Sequence, residues 1–276
     1  MPRRIGVLGD PRSGKSVLTY LVYRELGRRG RRVLRQEGDP ASPTPPWYLE
    51  GVNDTLRLKL KRPWSVELAE WVRKSLERLK ENKYLEFVVV DLPGGRPPKE
   101  RVTPELAMIL SEVDEVVLLC RDDNYEECVD GWLRELKEKN VNVGIIAYCR
   151  SKYHGKKGKV TLFECEIPRL ERKEARNPFT ETRRAVEKLT DVIEMGPRQR
   201  IFARCLENIR RNYERVARAV GREPDLVYGS GARLICTPKD AKRVDLNVIL
   251  SSEKNDKTLI RSPSGDTLVV LSLIHI

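Results

Sequence analysis

Ile5-Gly6-Val7-Leu8-Gly9-Asp10-Pro11-Arg12-Ser13-Gly14-Lys15-Ser16-Val17-Leu18 decides how the rest of the 276-residue chain is read. A short apolar run leads into the spacing G-x-x-x-x-G-K-[ST]. Val17, Leu18, Leu21, Val22 and Leu26 then recur at helical spacing up to a stop at Gly30. Strand, glycine-rich turn and helix in that order gather free backbone amides and the positive end of a helix around one point, where a phosphate can be held. In such a loop Gly9, Asp10, Pro11, Arg12, Ser13 and Gly14 supply the cradle, Lys15 bridges the β- and γ-phosphates, and the Ser16 hydroxyl ligates Mg²⁺. An ordinary glycine turn would leave Lys15 and Ser16 without a reason.

Outward from this loop, strands alternate with helices. Residues 32–36 read as a second strand ending in Glu37-Gly38-Asp39, and 40–47, with proline at 40, 43, 45 and 46, as a loop. Residues 56–60 alternate as a strand or an extended loop would. Ser65 can cap a helix whose face carries Val66, Leu68, Ala69, Val72, Leu76 and Leu79. Phe87-Val88-Val89-Val90 suits a strand buried on both faces and ends in Asp91. A short helix capped by Thr103 before Pro104, a strand at 116–120, a helix near 125–139 and strands at 143–147 and 160–164 follow. The fold class expected is α/β, a doubly wound, mostly parallel sheet over residues 1–195. Helices near 179–189 and 197–220 lead to short strand-like pieces at 234–236, 248–250 and 267–270, so 197–270 reads as a basic helical and short-strand extension.

Asp91, at the tip of the most apolar strand, is placed to organise Mg²⁺, and Gly94, three residues on, to bring its amide to the γ-phosphate. Glu37 or Asp39, at the end of the neighbouring strand, can orient water or accept a proton from a substrate hydroxyl, or simply form a Gly-Asp-Pro turn. Arg96, Arg169, Arg172 and Arg176 are candidates for binding a nucleotide, a polyanionic substrate or developing phosphoryl charge, and Arg204, Arg210, Arg211, Arg215 and Arg218 for RNA, against the alternative of solvated helix faces. A guanine-reading Asn-Lys-x-Asp segment is missing where the late strand runs into Tyr148-Cys149-Arg150-Ser151, so ATP is the expected nucleotide.

Fifty-three basic against 41 acidic residues, net +12, favour polyanionic partners such as RNA or a cyclic oligonucleotide. Heat adaptation through surface ion pairs accounts for the charge equally well, since glutamine occurs only at 36 and 199. No stretch is apolar enough for a spanning helix, so the expectation is a cytoplasmic protein without a membrane partner. The six cysteines, at 120, 128, 149, 165, 205 and 236, lack ligand spacing and read as buried thiols rather than a zinc site or a disulfide framework, with Cys149 the one open to solvent. Residues 271–276, Leu-Ser-Leu-Ile-His-Ile, can be encoded by the end of a transposon adapter used in sequencing libraries; the alternative is a natural apolar strand. With this tail set aside, His154 is the only histidine.

Residues 9–20, Glu37-Gly38-Asp39 and Asp91-Leu92-Pro93-Gly94-Gly95-Arg96 together resemble the P-loop ATPase domain found fused to, or encoded beside, the ring nucleases of type III CRISPR systems. The likeness covers residues 4–175; Leu92-Pro93 departs from the small residues that flank the equivalent acid, and no nuclease portion is found in 197–270. The resemblance implies a kinase-like P-loop ATPase with an ancillary role in antiviral defence. A small-molecule or polynucleotide kinase and a nucleotide-gated RNA-binding module are the competing readings. Oligomerisation is left open.

Overall fold

The computed structural model describes residues 1–49, 59–152, 164–168, 170–172, 175–196, 199–200, and the strands at 258–261 and 267–270. The chain divides into two compact units, Met1–Glu194 and Met195–Ile276.

In the first unit β1 (Arg3–Leu8), α1 (Lys15–Arg28), β2 (Val33–Glu37), α2 (Pro46–Leu49), α3 (Val66–Lys80), β3 (Phe87–Asp91), α4 (Pro104–Leu110), β4 (Glu115–Arg121), α5 (Tyr125–Glu138), β5 (Gly144–Lys152), β6 (Glu164–Pro168) and α6 (Thr180–Glu194) follow in order. The strands form a six-stranded sheet in the order β2-β3-β1-β4-β5-β6, and every pairing is parallel. This is the doubly wound α/β architecture the alternation implies.

Side chains alternate across a strand, so the valines of β3 divide between two cores. Phe87 and Val89 join Ile5, Val7 and Leu119 beneath α1 and α6. Val88 and Val90 join Leu118, Cys120 and residues of α3, α4 and α5 on the opposite face. Val88, Val89 and Val90 are wholly buried, each stabilising the sheet by roughly 1.5–3 kcal/mol on apolar burial alone. Serine at 65 and threonine at 103 cap α3 and α4 as their sequence positions indicate: Ser65 accepts from the Leu68 amide and Thr103 from that of Leu106.

Several boundaries differ from the sequence reading. The second strand is shifted one residue, to Val33–Glu37. A turn of helix starts at Pro46, inside the supposed loop, because proline is well suited to the first helical position. Lys59 and Leu60 are helical, and 56–58 lie outside the described residues. The sixth strand is Glu164–Pro168 rather than 160–164, of which only Glu164 is described. The fifth strand continues to Lys152, so Tyr148-Cys149-Arg150-Ser151 is strand interior paired to β4 and β6. Those residues therefore cannot stand for a base-reading loop, and the argument against guanine built on them falls.

The cysteine reading is also corrected. Cys120 and Cys128 form a disulfide with a Cα separation of 6.0 Å, because a short turn reverses the chain between the end of β4 and the start of α5. Cys149 is buried, as is Cys165, its register partner on the next strand. Their thiols hydrogen-bond one another, and this together with burial pushes the Cys149 thiol well above its ordinary range. Cys205 and Cys236 lie outside the described residues. No helix among the described residues is long and apolar enough to cross a membrane.

In the second unit, β7 (Thr258–Arg261) and β8 (Thr267–Val270) pair antiparallel, Thr258 opposite Val270. The strand expected at 267–270 is β8. The helix expected at 197–220, with its five arginines, and the strands expected at 234–236 and 248–250 fall outside the described residues.

Candidate functional site

The loop after β1 closes over the start of α1. Gly14 adopts a φ of 96° and stands at the N-cap of α1, which has no side-chain cap and no acidic residue in its first turn. α3 and α4 have both, with Glu67 and Glu105 in their first turns. The first amides of α1 thus keep their donors and their positive end without an internal anion. Lys15 is 8% exposed, and its ammonium donates to the Asp10 carbonyl at 2.9 Å. Burial lowers its pKa, opposed by the nearby carboxylates of Asp91, Asp39 and Asp10.

Register brings an acidic group to the same end of the sheet. Glu37 is the direct partner of Asp91 across β2 and β3, and Arg35, two residues earlier, shares their face. Its guanidinium donates to Asp91 Oδ2 at 2.8 Å, with the two side chains 7% and 3% exposed, and also to the Thr44 carbonyl at 2.9 Å. The Ser16 hydroxyl hydrogen-bonds the same carboxylate. Burial raises the Asp91 pKa, while Arg35, Ser16 and Lys15 pull it back. Glu37 is pushed up to about 8, first by burial and then by the neighbouring Asp91 charge. Its oxygens accept from the amides of Asp39 at 3.1 Å and Thr44 at 2.9 Å. Asp39 accepts from the Ser42 amide and the Trp64 indole, and burial raises its pKa.

A cavity of about 940 Å³ opens here, near the upper end of ordinary ligand sites. Pro11, Arg12, Gly14, Lys15 and Ser16 line its floor, with Asp39, Asp91 and Gly94 facing them. Gly94 is confined by contact: a Cβ there would stand 2.7 Å from the Pro11 amide nitrogen and 2.9 Å from the Lys15 ammonium. Arg96 and Arg172 also line the cavity, and Arg172 donates to the Tyr48 hydroxyl and lies over its ring. Arg176 offers its carbonyl to Arg24, and Arg169 lies outside the described residues. Among the predicted residues Gly9, Asp10, Ser13 and Glu37 are not part of the lining. Glu37 orders the loop behind Asp39, and Asp10 points away into the protein.

That second orientation was not legible in the sequence. Asp10 is 6% exposed and accepts from Arg101 Nε at 3.0 Å and the Trp132 indole at 2.9 Å. Arg101, 2% exposed, lies against Gly131 of α5, and its amide and that of Val102 donate to Glu135 at 2.6 and 2.9 Å. Its carbonyl also presses on Gly95. One buried arginine therefore ties the loop after β1 to the segment after β3. A charged residue 91 positions from Asp10 and 34 from Glu135 carries no spacing signal that would reveal it.

The protein donors fit Mg²⁺: a serine hydroxyl and an aspartate are hard oxygen ligands, and Mg²⁺ typically takes one or two carboxylates and leaves the remaining positions to water and phosphate. No cluster of three or more His, Cys, Asp or Glu side chains able to hold a metal occurs among the described residues.

No protein-family model and no curated protein matches this sequence. Solved structures do match. The septum site-determining protein MinD from Pyrococcus horikoshii, complexed with Mg-ADP, is 15% identical over 70% of this chain and 96% of its own, with a TM-score of 0.50. A plasmid partition protein from Borrelia burgdorferi bound to AMPPNP is 15% identical over 70% of this chain and 98% of its own, TM-score 0.47. Cobyrinic acid a,c-diamide synthase from Mycobacterium smegmatis is 15% identical over 69% and 93%, TM-score 0.45. The fold is that of the P-loop NTPases.

Proposed function

We propose that the protein is a Mg²⁺-dependent, ATP-binding P-loop ATPase or ATP-dependent phosphotransferase. The observation that carries the reading is the uncapped start of α1, whose Lys15 and Ser16 line one cavity together with Asp91. The amides of residues 12–16 and Lys15 would hold the β- and γ-phosphates, Ser16 and Asp91 the metal, and Gly94 the γ-phosphate edge. The Mg-ADP in the MinD structure supports this choice of nucleotide and ion. Asp39 would orient the attacking oxygen, a reading supported by its place in the cavity lining, which Glu37 does not share. The test is calorimetry with a non-hydrolysable ATP analogue, with and without Mg²⁺: Mg²⁺-dependent binding that is lost in Lys15→Ala is expected. Binding unchanged in that variant refutes the assignment.

The likeness to ATPase domains encoded beside ring nucleases supports a finer reading, an ancillary part in type III CRISPR defence. The identity of the neighbouring genes tests it, and a biosynthetic operon in place of effector genes would sink it. Phosphoryl transfer to an acceptor, rather than hydrolysis alone, is favoured by one feature: a further wall of the cavity carries Lys61, Arg62, Trp64 and Arg96.

A further inference from the structure

That further wall is built from two separate segments. Lys61, Arg62 and Trp64 come from the approach to α3, and Arg96 from the stretch after β3; all four line the cavity together with Ser42 and Asp39. The phosphate cradle already has its donors in Lys15 and the amides of α1, so these cations are surplus to a bound nucleotide. Arg62 is anchored through its Nε to the Pro40 carbonyl at 3.3 Å. Lys61 makes no ion pair among the described residues, and Arg96 has Glu105 as its nearby carboxylate. Surface cations usually face solvent in all directions. Here they converge on one concavity beside an indole whose N–H is fixed by Asp39. The ring of Trp64 packs partly against the core, and cations that share a cavity with such a ring suit a small planar molecule carrying an anionic group.

We infer that this wall is an acceptor subsite for a nucleoside monophosphate, its base against Trp64 and its phosphate between Lys61 and Arg96. The inference rests on the nucleotide-binding reading above and adds the acceptor class. In the transfer it would permit, an acceptor phosphate oxygen forms the new bond to the γ-phosphorus. The bond from that phosphorus to its bridging oxygen breaks, and the electron pair leaves with ADP. Any proton on the acceptor oxygen passes to Asp39, which lines the same cavity.

The experiment titrates AMP, CMP, GMP and UMP into the full chain saturated with a non-hydrolysable ATP analogue and Mg²⁺. Tryptophan fluorescence is followed, and Trp64→Phe identifies the reporting ring. Saturable quenching by at least one monophosphate, absent in Trp64→Phe, is expected. In Lys61→Gln/Arg96→Gln its apparent Kd should rise about tenfold or more, the loss of one to two charge-assisted contacts, while affinity for the ATP analogue stays unchanged. No quenching by any monophosphate, quenching that the double variant leaves intact, or displacement of the analogue by the monophosphate each overturns the subsite. Failure of the wild-type protein to bind the ATP analogue at all is a different result and overturns the nucleotide-binding reading itself.

Discussion

The two walls of the cavity are made in opposite ways. The cradle, residues 9–16, is contiguous: its groups are backbone amides and the two side chains at 15 and 16, so its geometry follows from one turn and one helix start. The acidic wall is assembled: Asp91 lines it, and Arg35 and Glu37, outside the lining, meet Asp91 only because β2 lies beside β3 in the register that sets Glu37 opposite Asp91. A contiguous site tolerates change elsewhere, whereas an assembled one carries buried charges that must neutralise one another. The first should fail locally when mutated and the second globally.

The sharpest break in that comparison is Lys15→Ala. Removal of the buried cation of the cradle should cut ATP-analogue affinity on the order of 100-fold or more in calorimetry, with little change in melting temperature. A large fall in Tm would show that the cradle, too, is structural.

Arg101→Ala comes next and acts through the assembled network. Asp10 would remain buried with only Trp132 as a side-chain partner, a loss of about 3–5 kcal/mol, seen as a Tm lower on the order of 10 °C. A melting curve that matches wild type would mean Asp10 finds another partner.

Arg35→Gln removes the cation from the acidic wall, so its cost should depend on pH. With the carboxylates ionised and unpaired, the loss should approach about 3 kcal/mol near pH 8 and shrink toward pH 5 as Glu37, raised to about 8, takes up its proton. Urea midpoints at the two pH values give the comparison; a loss independent of pH would place the role of Arg35 in packing alone.

Glu37→Gln acts chiefly on the slope of the pH profile, and least at low pH, where the carboxyl is protonated in both states. Glu37 titrates at about 8 in the fold against an ordinary 4.5, so its contribution to stability is complete below about 4.5 and is lost as pH rises through about 8. The variant should remove this part of the stability profile, on the order of 5 kcal/mol across the interval, and an unchanged slope between pH 5 and 8 would assign the slope to Asp91 or Asp39.

Much of this molecule was legible one segment at a time. Val17 to Leu26 at helical spacing, the all-apolar residues 87–90 and the caps Ser65 and Thr103 each answer to local physics, periodicity or a side-chain oxygen reaching a nearby amide. The misreadings lie where partners decide. β5 continues through Tyr148 to Lys152 because β4 and β6 flank it with hydrogen-bonding edges. Cys120 and Cys128 pair because a strand end and a helix start fold back on one another.

The site divides along the same line. The sequence by itself determined the cradle, because a strand, a glycine at 14 with positive φ and a helix carrying Lys15 and Ser16 need no distant help to expose their amides. Only the tertiary structure decided that Asp91 is held by Arg35, that Asp10 turns inward to Arg101 and Trp132, and that Asp39 rather than Glu37 faces the cavity. Those outcomes depend on strand register and on the cost of burying charge without a partner, which residues distant along the chain settle together.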